Sequence, residues 1–170
     1  MTDLYLNIAA ALAIGLLVGL ERGWSQREKE EGGRIAGIRT FAVTGLLGGV
    51  IALLSETYGN AIVAVALGAV ALFVGGSLVL SALRDESRDR GITTDIALLL
   101  TFVLGLLAGM GELEIAAASA VVLTILLGLK PQLHHWLQGL DRNELFAFLK
   151  LLLMSVVILP VLPDRGFGPW

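Results

Sequence analysis

The chain is built largely from apolar stretches long enough to cross a lipid bilayer, and this limits its fold more than any other feature. The stretches lie at residues 4–20, 38–54, 61–83, 94–108, 115–129 and 145–162. A helix needs ~20 such residues to traverse the hydrocarbon, and ~17 still suffice. The fourth and fifth are short, and their ends are expected to extend to Gly91 and Glu112. The expected fold is an all-α membrane protein, a polytopic bundle of about six transmembrane helices with one short interfacial amphipathic helix. Composition agrees: 56% of the residues are hydrophobic and 16% charged, where a soluble domain carries roughly 25% charged. In water this composition would leave a large apolar surface exposed, and a bilayer removes that difficulty.

Charge placement orients the bundle. The first loop region holds Arg22, Arg27, Lys29, Arg34 and Arg39, the third Arg84, Arg88 and Arg90, and the segment after the fifth span Lys130 and Arg142. The intervening loops, around Glu56 and around Glu112 and Glu114, hold no Lys or Arg. By the positive-inside rule this alternation puts the N-terminus outside a bacterial-type inner membrane and the loops at 21–37 and 84–93 in the cytoplasm. Trp170 falls outside as well. No cleavable signal peptide is expected, because Asp3 stands where a basic n-region would be and the first span ends in Glu21-Arg22.

Three regions follow from the pattern. Residues 1–130 read as a five-helix transmembrane domain, 131–144 as an interfacial amphipathic linker helix, and 145–170 as the first span of a second, incomplete membrane domain. In the linker, Leu129, Leu133, Trp136, Leu137 and Leu140 share one helical face, while Gln132, His134, His135 and Gln138 occupy the rest. Within the spans, small residues recur at four-residue spacing: Ala11, Gly15, Gly19; Thr101, Gly105, Gly109; Ala116, Ala120, Thr124, Gly128. Such stripes let helix backbones approach closely in lipid. Gly15, Gly19, Gly105 and Gly109 are accordingly expected to pack helices together.

Ionisable groups at membrane depth are costly and mark functional positions. Glu21 and Arg22 follow the first span, Arg39 and Thr40 open the second, and Asp95 follows Thr93-Thr94 at the start of the fourth. The topology places these helix ends at similar depth on the cytoplasmic side. Glu21, Arg39, Thr40, Thr94 and Asp95 are therefore candidates for ion binding or gating, with Glu21 and Asp95 as candidate metal ligands. A structural reading stands beside this one. Glu21 at a helix C-terminus opposes the dipole and calls for a cation, either Arg39, Arg22 or a bound ion. Asp95 in a first turn, next to a capping Thr93 or Thr94, is favoured by the dipole alone. Lys150 is close enough to the sixth span's end to snorkel. His134 and His135, adjacent on a helix, point ~100° apart and chelate poorly.

Other classes of function are excluded. The chain has no cysteine, so disulfides and thiolate chemistry are absent. No zinc-protease, nucleotide-binding or serine-nucleophile motif is present, and no enzymatic activity is expected. A net charge of −3, with basic residues confined to short loops, gives no case for nucleic acid.

Ile14-Gly15-Leu16-Leu17-Val18-Gly19-Leu20-Glu21-Arg22, then Ala36-Gly37-Ile38-Arg39-Thr40-Phe41 and a Gly-rich second span, closely resemble the MgtC/SapB family of bacterial membrane proteins over residues 1 to about 130. Gly91-Ile92-Thr93-Thr94-Asp95, and the stretch from Leu159-Pro160 to Gly168-Pro169-Trp170, resemble the longer branch, in which a second membrane domain follows. On that resemblance the chain is expected to be truncated at the start of the second domain. On the same resemblance, the soluble C-terminal domain of many members is expected to be missing. The resemblance implies a role in magnesium homeostasis, as a transporter or as a regulator of other membrane proteins.

The leading expectation is a channel or transporter for a Mg²⁺-type cation, since Mg²⁺ keeps several waters and needs only one or two carboxylates. It has no cofactor beyond the transported cation. A pore between subunits of a homo-oligomer, lined by glycine backbones and Thr44, Thr101 or Thr124, is the expected route. The alternative is a non-transporting membrane regulator that docks partner membrane proteins in the bilayer through its small-residue stripes.

Overall fold

In a computed structural model the described residues are 2–25, 36–83, 92–139 and 141–159, and all their regular structure is helical. Most of the basic residues that set the expected topology, Arg27, Lys29, Arg34, Arg84, Arg88 and Arg90, lie outside the described residues, as do residues 160–170. The chain divides after Gly128 into two units.

The first unit holds five helices: α1 (Thr2–Ser25), α2 (Ile38–Tyr58), α3 (Ala61–Leu83), α4 (Ile92–Gly109) and α5 (Leu113–Gly128). Among the described residues, α1 to α4 contain windows long and apolar enough to cross a membrane, and α5 is apolar but shorter, at 16 residues. The first two helices outrun their expected spans. α1 continues past Leu20 to Ser25, so Glu21 and Arg22 belong to the helix itself, with Arg22 in the last turn, where a cation suits the dipole.

α1, α2 and α4 pack against one another as the centre of this unit, α5 leans on α1 and α4, and α3 lies outside against α2 and α4. Two apolar clusters fill the interior. One joins Val18, Ala36, Phe41, Val74, Ala97, Leu98 and Leu127; the other joins Ala11, Ile14, Leu104, Ala108, Ala116 and Ala120. Lipid tails are as apolar as leucine, so contact area alone does not drive the helices together, and close packing has to. Glycine makes that packing possible. A Cβ on Gly105 would run into the Gly45 carbonyl, and one on Gly15 into the backbone of Phe41 and Ala42.

Among the described residues, short turns join α2 to α3 and α4 to α5. α4 ends in a Schellman turn, with the Glu112 N–H donating to the Leu107 carbonyl at 3.0 Å and the Gly111 N–H to Ala108 at 3.0 Å. Gly111 takes φ +91° there, a backbone angle that favours glycine.

The second unit contains α6 (Lys130–Gly139) and α7 (Arg142–Leu152), the latter continuing as a π-helical segment, Leu153–Ile158. The Asp141 N–H donates to Glu144 Oε2 at 3.4 Å at the start of α7. That helix therefore starts at Arg142, ahead of the expected span at 145, and the linker helix ends at Gly139. Leu133, Trp136 and Lys150 are exposed, and α7 buries none of its residues within the unit.

Candidate functional site

The site starts from one face of α1. Ala11, Ile14, Gly15, Val18, Gly19 and Arg22 recur at steps of three and four, and all are buried. That is the period of a helix turned inward. Arg22 extends the stripe by one turn beyond Val18 and is only 4% exposed. An arginine buried at membrane depth needs an anion and acceptors for its donors. It finds both. Its Nε donates to Glu21 Oε2, its Nη2 to Glu21 Oε1 at 2.7 Å, and the same Nη2 to the backbone carbonyl of Leu127 at 3.0 Å. The Leu127 carbonyl is one of those left without an intrahelical donor at the end of α5. One guanidinium thus ties the last turn of α1 to the last turn of α5.

Glu21 is the more open partner, with 13% of its side chain exposed against 5% for Arg22. Gly128 lies beside it: a Cβ there would sit 3.8 Å from Glu21 Oε1, at ordinary contact distance.

The pairing differs from one of the sequence expectations. Glu21 is paired with Arg22, whereas Arg39 is exposed. The reason is register. Phe41 is wholly buried and aligns α2 so that Arg39 and Thr40, just before it, are exposed. Thr40 contributes through its backbone, accepting the Thr44 hydroxyl at 2.8 Å.

Thr94 and Asp95 are both buried, at 4% and 6% exposure, in the first turn of α4. α4 begins at Ile92, so Thr93 and Thr94 lie inside the helix rather than capping it. Asp95 precedes Ala97 and Leu98 by less than a turn. Those two residues belong to the same apolar cluster as Val18 and Leu127. The Glu21–Arg22 pair and the Thr94-Asp95 pair therefore border one cluster at one end of the bundle. Of the expected candidates, Glu21, Thr94 and Asp95 come to this end facing inward, and Arg39 and Thr40 do not. Among the described residues no three Asp, Glu or His side chains converge as a metal site.

The expected pore lining is also relocated. Thr101 is wholly buried and Thr44 nearly so, inside contacts between helices of this one chain. Their hydroxyls turn back on their own helices, Thr101 to the Ala97 carbonyl at 2.7 Å and Thr44 to that of Thr40. They are not available to line a path between subunits. Thr124 is half-buried and donates to Ala120 at 2.7 Å. The glycines around them are occupied by neighbouring helices: Gly19 faces Ile38, and Gly109 faces Ala52 and Gly49.

Arg22, one of the cations expected to partner Glu21, is the one that does so, and the Leu127 carbonyl joins it. A signal for the inward direction of Arg22 existed, since position 22 follows Ile14 and Val18 at four-residue spacing. The carbonyl has no sequence signal, because any residue carries one.

Residues 8–136 match the MgtC family. Among curated proteins, the chain is similar to Protein MgtC of Salmonella typhimurium (strain LT2), Salmonella choleraesuis and Salmonella typhi, each 30% identical over 122 residues. The alignment covers 69% of this chain and 48% of each relative, so the matched part spans about half the length of those proteins. No solved structure matches the chain significantly.

Proposed function

From the premise that the chain belongs to the MgtC family, and is a multi-pass membrane protein, we propose that it binds and moves a Mg²⁺-type cation across a bacterial-type inner membrane. The proposed orientation has the N-terminus outside and the Glu21 end of the bundle cytoplasmic, following the basic loops. The observation that carries the reading is the inward-facing Glu21–Arg22 pair, which borders the same apolar cluster as buried Asp95. Charges held at membrane depth are costly and persist where ions or protons are handled. Glu21 and Asp95 supply the carboxylates, and a hydrated Mg²⁺ needs only one or two. With α1, α2 and α4 in backbone contact, the route for the ion runs along the outer helices or between copies in a homo-oligomer.

The regulatory alternative is favoured by α3. Gly68 and Gly76 on that helix are exposed with no neighbour within 4 Å of a built Cβ, unlike the glycines of the centre. A partner's helix could approach there.

Reconstitution in liposomes discriminates the two. Divalent-cation flux above that of empty vesicles, lost in Glu21→Gln and Asp95→Asn, is the expected result. Absence of flux with the native chain, together with unaltered ion binding by both variants, refutes transport.

A further inference from the structure

We propose that Arg22 is a tethered counter-ion that occupies the Glu21 carboxylate in place of a divalent cation. Arg22 and the cation then exclude one another on that carboxylate. The inference rests on the proposed cation-binding role of Glu21 and adds its regulation.

Both Glu21 oxygens are engaged by one guanidinium, through Nε and Nη2. The two residues are adjacent, and neighbours on a helix point ~100° apart. A two-pronged contact between them therefore requires both side chains to swing to the same side. Burial explains the direction of the swing for Arg22, which continues the inward stripe of α1. It accounts for the carboxylate only as the anion that a buried guanidinium requires. As a stability device the pair is a poor choice, because apolar residues of similar volume usually replace a buried ion pair without loss. As a way to hold a carboxylate aimed inward, it is effective.

The geometry also permits exchange. Glu21 is the more exposed member of the pair, with 13% of its side chain open against 5% for Arg22, and exchange starts from that side. Arg22 keeps an acceptor when it lets go, since its Nη2 already donates to the Leu127 carbonyl. The displaced guanidinium thus retains one hydrogen bond, which lowers the cost of displacement. A compact divalent ion beats a guanidinium on one carboxylate only when its concentration is high. The arrangement therefore sets a threshold for cation entry.

The test uses the purified full chain in lipid nanodiscs with Mn²⁺ alone as probe, free Mn²⁺ being counted by electron paramagnetic resonance. Arg22→Gln removes the competing charge and is expected to tighten Mn²⁺ binding about tenfold or more. Arg22→Lys keeps a charge but loses the two-pronged contact, and is expected to tighten binding by a smaller factor, about threefold. Arg22→Lys also serves where Arg22→Gln fails to fold, a property read from thermal melting. In Glu21→Gln/Arg22→Gln the gain is expected to vanish. The proposal is overturned if the folded Arg22 variants bind no tighter than the native chain, or if the gain persists without Glu21. Liposome flux separates this result from the transport reading. A Glu21-dependent gain without flux upholds the counter-ion and refutes transport, and flux with no gain does the reverse.

Discussion

Replacing Gly105 by alanine tests the packing argument at its tightest point. A Cβ there would lie against the Gly45 carbonyl oxygen, with the Gly45 carbonyl carbon at 2.8 Å and its Cα at 2.9 Å. Carbon atoms rest at about 3.5–4.0 Å, so α4 has to retreat from α2 by roughly 1 Å. Both sides of the contact are backbone, and no side-chain rotation relieves it. Overpacking of a close-packed site costs about 1–3 kcal/mol, and a backbone–backbone clash belongs at the upper end, about 3. Alanine returns about 1 kcal/mol through its better helix propensity. The expected net loss is about 2 kcal/mol, a factor of roughly 30 in the folded-to-unfolded ratio. Gly68→Ala on α3 is the matched control, because nothing lies within 4 Å of a Cβ there. It is expected to be neutral or to stabilise by up to about 1 kcal/mol. Reversible unfolding in mixed micelles, followed by helical circular dichroism, measures both. If Gly105→Ala is as stable as Gly68→Ala, the close approach of α2 and α4 is not what holds this bundle together.

Three further outcomes are expected in the same assay. Arg22→Met strands Glu21 without its cation and is expected to cost about 2 kcal/mol, below the 3–5 of a fully buried pair because Glu21 is partly open, while Glu21→Gln/Arg22→Met recovers most of that loss; additive single and double variants would contradict the pairing. Gly111→Ala forces a side chain into positive φ at the α4–α5 turn and is expected to cost about 1–2 kcal/mol, seen as a lowered midpoint. Arg39→Ala, at an exposed position, is expected to change stability by no more than about 0.5 kcal/mol, and a larger loss would place Arg39 in the bundle after all.

The sequence by itself determined that the chain is helical and lipid-embedded. Backbone polar groups in hydrocarbon are satisfied within each helix, so a long apolar run specifies its own secondary structure without reference to any neighbour. Four-residue spacing of small residues likewise marked Gly15, Gly19, Gly105 and Gly109 as places where another backbone could approach. Only the tertiary structure decided which glycines are filled. Gly105 meets Gly45, while Gly68 on an equally apolar helix meets nothing, because contact depends on which helix lies opposite. The site divides in the same way. Glu21 and Asp95 stood out by charge alone. That Arg22 turns inward, and Arg39 outward, depended on α1 continuing beyond its apolar run and on Phe41 aligning α2. The acceptor that completes the arginine's hydrogen bonding, the Leu127 carbonyl, is a backbone atom 105 residues away in sequence. No residue type announces such a partner; only the fold brings it within reach.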